Sequence, residues 1–261
     1  MNIVFIGTGN VANHLAKALY KAGYTIEQIV NRTGENAKLL AQSVNAEWTT
    51  DLVQIQKADL YIYSVSDSAL EEVIRLNPCQ EGLHVHTAGS MPLSIFKGIK
   101  THAGVLYPMQ TFSKEKEVDF KKVPLFIEAS TPEDSSILRQ LAESMSNHVF
   151  EAGSDQRQQL HLAAVFACNF TNHLFAIAES ILNEANLPFE VLRPLIQETI
   201  DKTATLSPRE GQTGPAIRRD FNVMEKHLLK LTDHPQWQEI YRLLSQNIID
   251  IHQNQSHQAN K

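Results

Sequence analysis

The sequence predicts an α/β domain on a mostly parallel sheet, followed by an all-α domain. Three observations carry this. Short β-rich runs alternate with helical patterns through the first half of the chain. A glycine-rich turn joins the first such run to the first helix. After about Ser154 the β-rich runs stop.

Ile3 to Ile6 is a continuous apolar run, the pattern of a strand with helices over both faces. Val11 to Ala22 follows as a helix with Val11, Leu15, Ala18, Leu19 and Ala22 on one face and Gly23 as its stop. Ile26 to Val30 reads as the second strand and Glu35 to Ser43 as the second helix. Trp48 enters a short third strand. Leu60 to Val65, Leu83 to His86, Gly104 to Leu106 and Pro124 to Glu128 complete the strands. From Asp155 to Leu182 there is neither Gly nor Pro, which predicts one long helix, and its alanines suit close packing. Further helices are expected at Pro188 to Leu206, Pro215 to Lys230 and Pro235 to Ile251. The polar end from Gln253 to Lys261 is expected to fray. The domains are therefore drawn as 1–152, binding a nucleotide, and 153–261, helical.

The composition narrows the function classes. At 261 residues, with 43% apolar and 20% charged, the chain can bury a core without staples. A net charge of -6 disfavours a non-specific nucleic-acid binder. Cys79 and Cys168 have no CxxC partner, against a zinc ribbon or disulfide framework and in keeping with thiols in a reducing cytoplasm. Met1-Asn2 leads straight into the first strand with no signal-peptide pattern. No apolar run approaches the ~18 residues of a bilayer span, so nothing is expected to cross a membrane. A cytoplasmic protein without membrane or nucleic-acid partners is expected. The histidines form no HExxH or Cys/His cluster, and His84 and His86 share a strand face without a carboxylate, so no metal is expected.

The turn reads GTGNVA. Gly7 permits the tight bend, Gly9 lets a pyrophosphate approach the backbone, and Ala12 lets the helix pack on the sheet. Amides of Thr8, Asn10 and Val11, at the positive end of the helix dipole, would hold the phosphates. Strand, glycine turn and helix in this order describe a Rossmann-type dinucleotide site; the alternative is a turn whose glycines are structural only. NAD-specific sites usually end the second strand in an acid that binds the ribose. Here Asn31-Arg32-Thr33 stands there. Arg32 can pair with a 2′-phosphate or stack on adenine, and Asn31 and Thr33 add neutral donors, so NADP is favoured over NAD. A solvated arginine in a surface loop is the alternative for Arg32. Ser64, Val65 and Ser66 follow the fourth strand and Thr87 the fifth, at the carboxyl ends where open α/β sheets bind ligands. His86 either faces the nicotinamide or is structural. Ser90 is either a substrate donor or a helix cap.

With the glycine turn, HTAGS, VLYPMQTFS, HLAAVFACNF and TGPAIRRD together, the sequence resembles a bacterial family of assigned NADP oxidoreductases. These pair a Rossmann-like domain with a helical C-terminal domain of unknown function. The wider superfamily that it resembles includes 6-phosphogluconate and β-hydroxyacid dehydrogenases, pyrroline-5-carboxylate reductase and deazaflavin-dependent NADP reductases. The resemblance implies a cleft between domains and a homodimer built through the helical domain, but no particular substrate. The related hydroxyacid dehydrogenases place a lysine near the start of the second domain's first helix. Here Arg157 stands among Gln156, Gln158 and Gln159, and an arginine is a poor general acid.

Hydride transfer needs a proton source beside the acceptor. His161 is the nearest ionisable substitute on that helix, and Val165, Asn169 and Asn172 share its broad face, with His173 close by. His161 and Asn169 are thus the candidate catalytic pair; alternatively they satisfy buried groups or a dimer contact. Arg218, beside Arg219 and Asp220, is a candidate clamp for a substrate carboxylate or phosphate, or else part of a surface ion pair. Gln110 and Thr111, after a strand, are further substrate candidates. The expected function is an NADP(H)-dependent oxidoreductase for a small, anionic carbonyl or imine compound. Alternatives are a deazaflavin:NADP reductase and a regulatory protein that binds NADP(H) without turnover.

Overall fold

The computed structural model describes residues 1–114 and 116–258, without the side chains of 254–258. Its first part alternates Asn2–Ile6 (β1), Asn10–Lys21 (α1), Thr25–Val30 (β2), Gly34–Ser43 (α2), Glu47–Thr49 (β3), Leu60–Tyr63 (β4), Asp67–Leu76 (α3), Leu83–His86 (β5), Ala103–Pro108 (β6), Leu125–Ala129 (β7), Pro132–Met145 (α4) and Val149–Glu151 (β8). Every strand expected from the sequence is present, its ends displaced by a residue or two at most. Tyr107 and Pro108 close β6 rather than following it. Three elements, α3, α4 and β8, lie outside the sequence expectation. For α4 local signals do exist, since Thr131 accepts from the Asp134 amide and Pro132 occupies the first turn. β8 is only three residues long and exists by pairing with β7.

One sheet of eight strands runs in the order β3-β2-β1-β4-β5-β6-β7-β8. All neighbours are parallel except β6 and β7. The parallel core explains the unbroken apolar run of β1. Ile3 and Phe5 pack into the layer under α1, while Val4 and Ile6 join Tyr61, Tyr63 and Phe96 on the opposite face. Strand order reverses between β1 and β4, so the connections leaving them diverge to opposite faces and open a crevice at the strands' carboxyl ends.

The chain divides into two compact units, one to Asn169 and the other from Phe170. The first ends with Ser154–Ala164 (α5) and most of a π-helical segment, Val165–Phe170. The expected single helix from Asp155 to Leu182 is thus interrupted: the π segment carries one extra residue per turn. No Gly or Pro marks it, so periodicity alone is silent. The whole stretch Ser154–Glu184 is also long and apolar enough, by length and composition, to cross a bilayer. Its best window has a mean hydropathy of 1.3 and is 0% buried. Asn169, Asn172 and His173 break the apolar run, which hides this from a count of consecutive residues.

The second unit contains Thr171–Glu184 (α6), Arg193–Lys202 (α7), Pro215–Arg218 (α8), Phe221–Lys230 (α9) and Pro235–Gln258 (α10). Two expected helices are shorter than the sequence suggests. Pro194 fits only a first turn, so α7 begins at Arg193, after a tight turn over Phe189–Leu192. The helix expected from Pro215 to Lys230 breaks at Arg219, which is left-handed at φ 55; Asp220 then caps α9 by accepting from the Val223 amide. His227 pairs with Tyr241 at 2.9 Å, joining α9 to α10. Among the described residues of this unit Ala216, Ser245 and Ile249 are buried, while Leu174, Leu195, Ile200, Phe221, Leu229 and Leu243 are exposed. The C-terminal stretch expected to fray is helical backbone to Gln258; residues 259–261 lie outside the described residues.

Candidate nucleotide and active site

Gly7 sits at φ +109, and a Cβ there would lie 2.1 Å from the Ser64 carbonyl oxygen. Only glycine lets β1 turn this tightly against the end of β4. Amides hold both sides: Gly7 donates to the Val30 carbonyl and Ser64 to that of Ile6, each at 2.8 Å. Gly9 is the N-cap of α1 and has no side chain to cap it; the first turn contains no acid. Nothing lies within 4 Å of where a Gly9 Cβ would be. The opening amides of α1 have no partner inside the helix and point with its positive dipole end. Ala12 is fully buried beneath this turn. An uncapped, acid-free helix start with open space before it fits a bound pyrophosphate.

The turn opens into a cleft of about 1310 Å³ within the first unit. Its lining includes residues 6–11, 30–32, 64–67, 87–90 and 107–112, together with His161 and Asn169. The structure thus brings together nearly all the residues singled out in the sequence. Thr33 is outside the lining: its hydroxyl oxygen accepts from Asn31 at 2.8 Å and from Asn36 at 3.2 Å, shaping the start of α2. Arg218 is exposed in α8 of the second unit. Arg32 is exposed at the cleft's edge, past the end of β2. Thr87 donates to the Ser64 hydroxyl at 3.1 Å, linking the ends of β5 and β4. Ser90 donates to the Asp67 carboxylate, and its carbonyl accepts from Gln158 at 2.9 Å. Gln110 uses its side-chain oxygen on the Thr111 amide at 2.8 Å.

His161 and Asn169 both line this cleft, and the π segment turns their directions closer together. On an uninterrupted α-helix eight residues rotate about 80° past two full turns. At roughly 4.4 residues per turn through the π segment, most of that offset disappears. The start of α5 is tied down by Arg157, which is fully buried. It donates to the Glu128 carboxylate and, at 2.5 Å, to the Met91 carbonyl; Glu128 also accepts from Ser154 at 2.9 Å.

One turn further on, His161 Nδ1 is 3.3 Å from the Tyr107 hydroxyl, their rings edge to face. A Cβ on Gly89 would lie 2.8 Å from Tyr107 Cζ and 2.9 Å from His161 Nδ1. Burial pushes the Tyr107 phenol up, against a smaller opposing pull from Arg157. Tyr107 and Gly89 lie in the segments Tyr107 to Thr111 and His86 to Ser90, which the sequence already places at strand ends near the cleft, but the sequence singles out neither as a site residue. The pair joins positions 54 apart, and no local pattern announces that.

His86 does not face the cleft. Its side chain is fully buried, stacked on Phe96 at 5.7 Å, and Nδ1 accepts from the Ala88 amide at 3.2 Å. Alternation along β5 sends it to the same side as His84, which pairs with Tyr63 at 2.9 Å. Burial pushes both imidazoles down to about 3, with Lys100 adding to the effect on His84 and Arg157 to that on His86. Unfolded, each takes a proton near its ordinary value of 6.5; folded, it refuses one until about 3. Stability is therefore expected to be full above about pH 6.5 and to fall as the pH drops toward 3. The slope approaches about 1.4 kcal/mol per pH unit for each histidine. Denaturant melts from pH 7 to 5 check this, and His86→Leu should flatten the slope; an unchanged slope refutes the assignment.

Comparison with known proteins agrees with this fold. Residues 2–85 match the family model described as NADP oxidoreductase coenzyme F420-dependent, and residues 123–248 match a domain of unknown function, DUF2520. A solved protein of Bacteroides fragilis, assigned as an NADP oxidoreductase, is 52% identical with a TM-score of 0.91, over 95% of this chain and 98% of that one. A Thermotoga maritima protein shares the fold at 20% identity and a TM-score of 0.72, over 97% and 99% of the two chains. So does an imine reductase of Myxococcus stipitatus in complex with NADP+, at 17% and 0.62, over 96% and 92%. No curated protein matches the sequence. The glycine turn, the parallel sheet, and majority identity along nearly the whole Bacteroides protein lead to one assignment: this chain is an oxidoreductase and belongs to the NADP oxidoreductase family that joins such a nucleotide domain to a DUF2520 domain.

Proposed function

We propose that the protein is an NADP(H)-dependent reductase or dehydrogenase acting on a small carbonyl or imine compound. The observation that carries this is the uncapped, acid-free start of α1 behind Gly7 and Gly9, opening into the same cleft as His161. Gly7, Thr8, Gly9, Asn10 and Val11 would hold the pyrophosphate, and Arg32 with Asn31 the ribose phosphate. Main-chain groups of Ser64, Val65, Ser66 and Thr87 would border the second ribose. When bound, the nicotinamide supplies or accepts the hydride. His161 exchanges the proton at the substrate heteroatom, and Asn169 orients that atom by hydrogen bonding. Ser90 and Gln110 line the substrate end. Residues 153–169, which fold with the first unit, contribute His161 and Asn169 to this cleft.

The expectation of an anionic substrate rests on Arg218 in the second unit. Lack of cover over the apolar side chains of that unit supports a homodimer formed through it. A second reading, a deazaflavin:NADP reductase, is supported by the description of the family model over residues 2–85.

Titration calorimetry with NADP and NAD tests nucleotide binding, and NADPH oxidation with carbonyl, imine and deazaflavin acceptors tests the chemistry. If neither nucleotide binds, the reading is wrong. Binding without transfer to any acceptor favours a regulatory protein. Arg32→Ala is expected to weaken NADP by about 1.5–3 kcal/mol, roughly tenfold to a hundredfold, and to leave NAD nearly unchanged. Equal losses for both nucleotides would remove Arg32 from the phosphate.

A further inference from the structure

Two aromatic side chains from distant parts of the chain meet at the cleft with no third residue between them. Tyr107, next to last in β6, is 9% exposed and packs its ring on Phe126. His161 sits on α5 one turn after Arg157, whose buried ion pair fixes that helix to β7. Gly89, after β5, passes so close to both rings that a single added methyl would collide with each. Three elements are thus shaped around one contact, Tyr107 Oη to His161 Nδ1. Nδ1 being so engaged, Nε2 is the ring nitrogen left to the cleft.

We propose that Tyr107 is a positioning residue for proton transfer at His161: its phenol oxygen accepts the Nδ1 hydrogen, so that Nε2 alone gives up and regains the proton. This rests on the reductase reading above. In the reducing direction the acceptor carbon takes a hydride from the reduced pyridine nucleotide, and the π pair of C=O or C=N moves to the heteroatom. That pair takes the proton from Nε2. The N–H bond breaks, its electrons stay on nitrogen, and the imidazolium becomes a neutral imidazole that keeps its proton on Nδ1. A ring in that tautomer needs an acceptor at Nδ1, and the Tyr107 oxygen provides one without adding charge. The phenol keeps its own proton throughout, as its burial favours. In the oxidising direction the same steps run backwards, with Nε2 as the base.

The test is ¹⁵N NMR of the imidazoles in the full-length protein, with the His161 signals identified by their loss in His161→Gln. In the wild type, neutral His161 is expected as the Nδ1–H tautomer. In Tyr107→Phe, which keeps the ring and its packing, it should move toward Nε2–H. Gly89→Ala, which forces the two rings apart without altering either, should shift the tautomer the same way. With an active acceptor, Tyr107→Phe should lower kcat on the order of a hundredfold, with NADP affinity by calorimetry unchanged. A wild-type Nε2–H tautomer, or one unmoved in both variants, overturns the proposal. Failure of the reductase reading shows up separately, as absence of pyridine-nucleotide binding to the wild type, while the tautomer result keeps its meaning.

Discussion

Replacing Gly7 by alanine is expected to abolish measurable nucleotide binding and to cost the fold several kcal/mol. Two effects add. At φ +109 an L side chain is strained by about 1–3 kcal/mol. The new Cβ would also lie 2.1 Å from the Ser64 carbonyl oxygen, a backbone atom that cannot swing away. The end of β1 must then part from β4, and the crevice between them loses its shape. Gly9→Ala separates binding from folding. Gly9 has φ -65, and its Cβ would point into open space. The variant should be as stable as the wild type or about 0.5 kcal/mol more so, because alanine restricts the unfolded chain. Its methyl nevertheless fills the approach of the pyrophosphate, and affinity should fall at least tenfold by calorimetry, about 1.4 kcal/mol. Wild-type affinity in both variants would mean that the turn is not the cradle.

His161→Ala is expected to lower turnover by roughly 10²–10⁴-fold, the usual worth of a positioned general acid or base. Nucleotide affinity should stay within about twofold, since His161 is on α5 and not on the turn that would take the phosphates. His161 is half-buried on a helix held by Arg157, so its loss should leave stability within about 1 kcal/mol. Stopped-flow measurement of nicotinamide fluorescence with an active acceptor checks the rate. Unchanged turnover would return His161 to a structural role and leave the proton to another group.

Much of the proposed nucleotide end is legible in the amino-acid sequence. Strand, glycines and helix are contiguous there, so composition and order over a dozen residues suffice. The lack of an acid after β2 can be read in the same way. The proposed reacting end is half legible: polar residues on an Ala-rich helix point to His161 and Asn169, while the π segment that turns them closer together has no marker. His86 looks like a cleft residue because it ends a strand; which face it takes depends on which partner covers that face, and Phe96 does. Arg157, a charged residue among glutamines, reads as a departure from related dehydrogenases; only Glu128, near the end of β7, explains its burial. Arg219 reads as helix interior, yet its left-handed backbone separates α8 from α9.

Short-range chemistry on its own determined where seven of the eight strands, the glycine turn and most helices lie, that the first helix starts without a cap or an acid, and that a cation follows β2. Those features depend on neighbours within a turn or two, and their signals are therefore contiguous in the chain. Packing alone decided which carboxyl ends gather around one cleft, how Tyr107 meets His161 across Gly89, and which side of β5 is dry. Such contacts join residues tens of positions apart, where free energy depends on the whole enclosing shape and no local run of side chains encodes it.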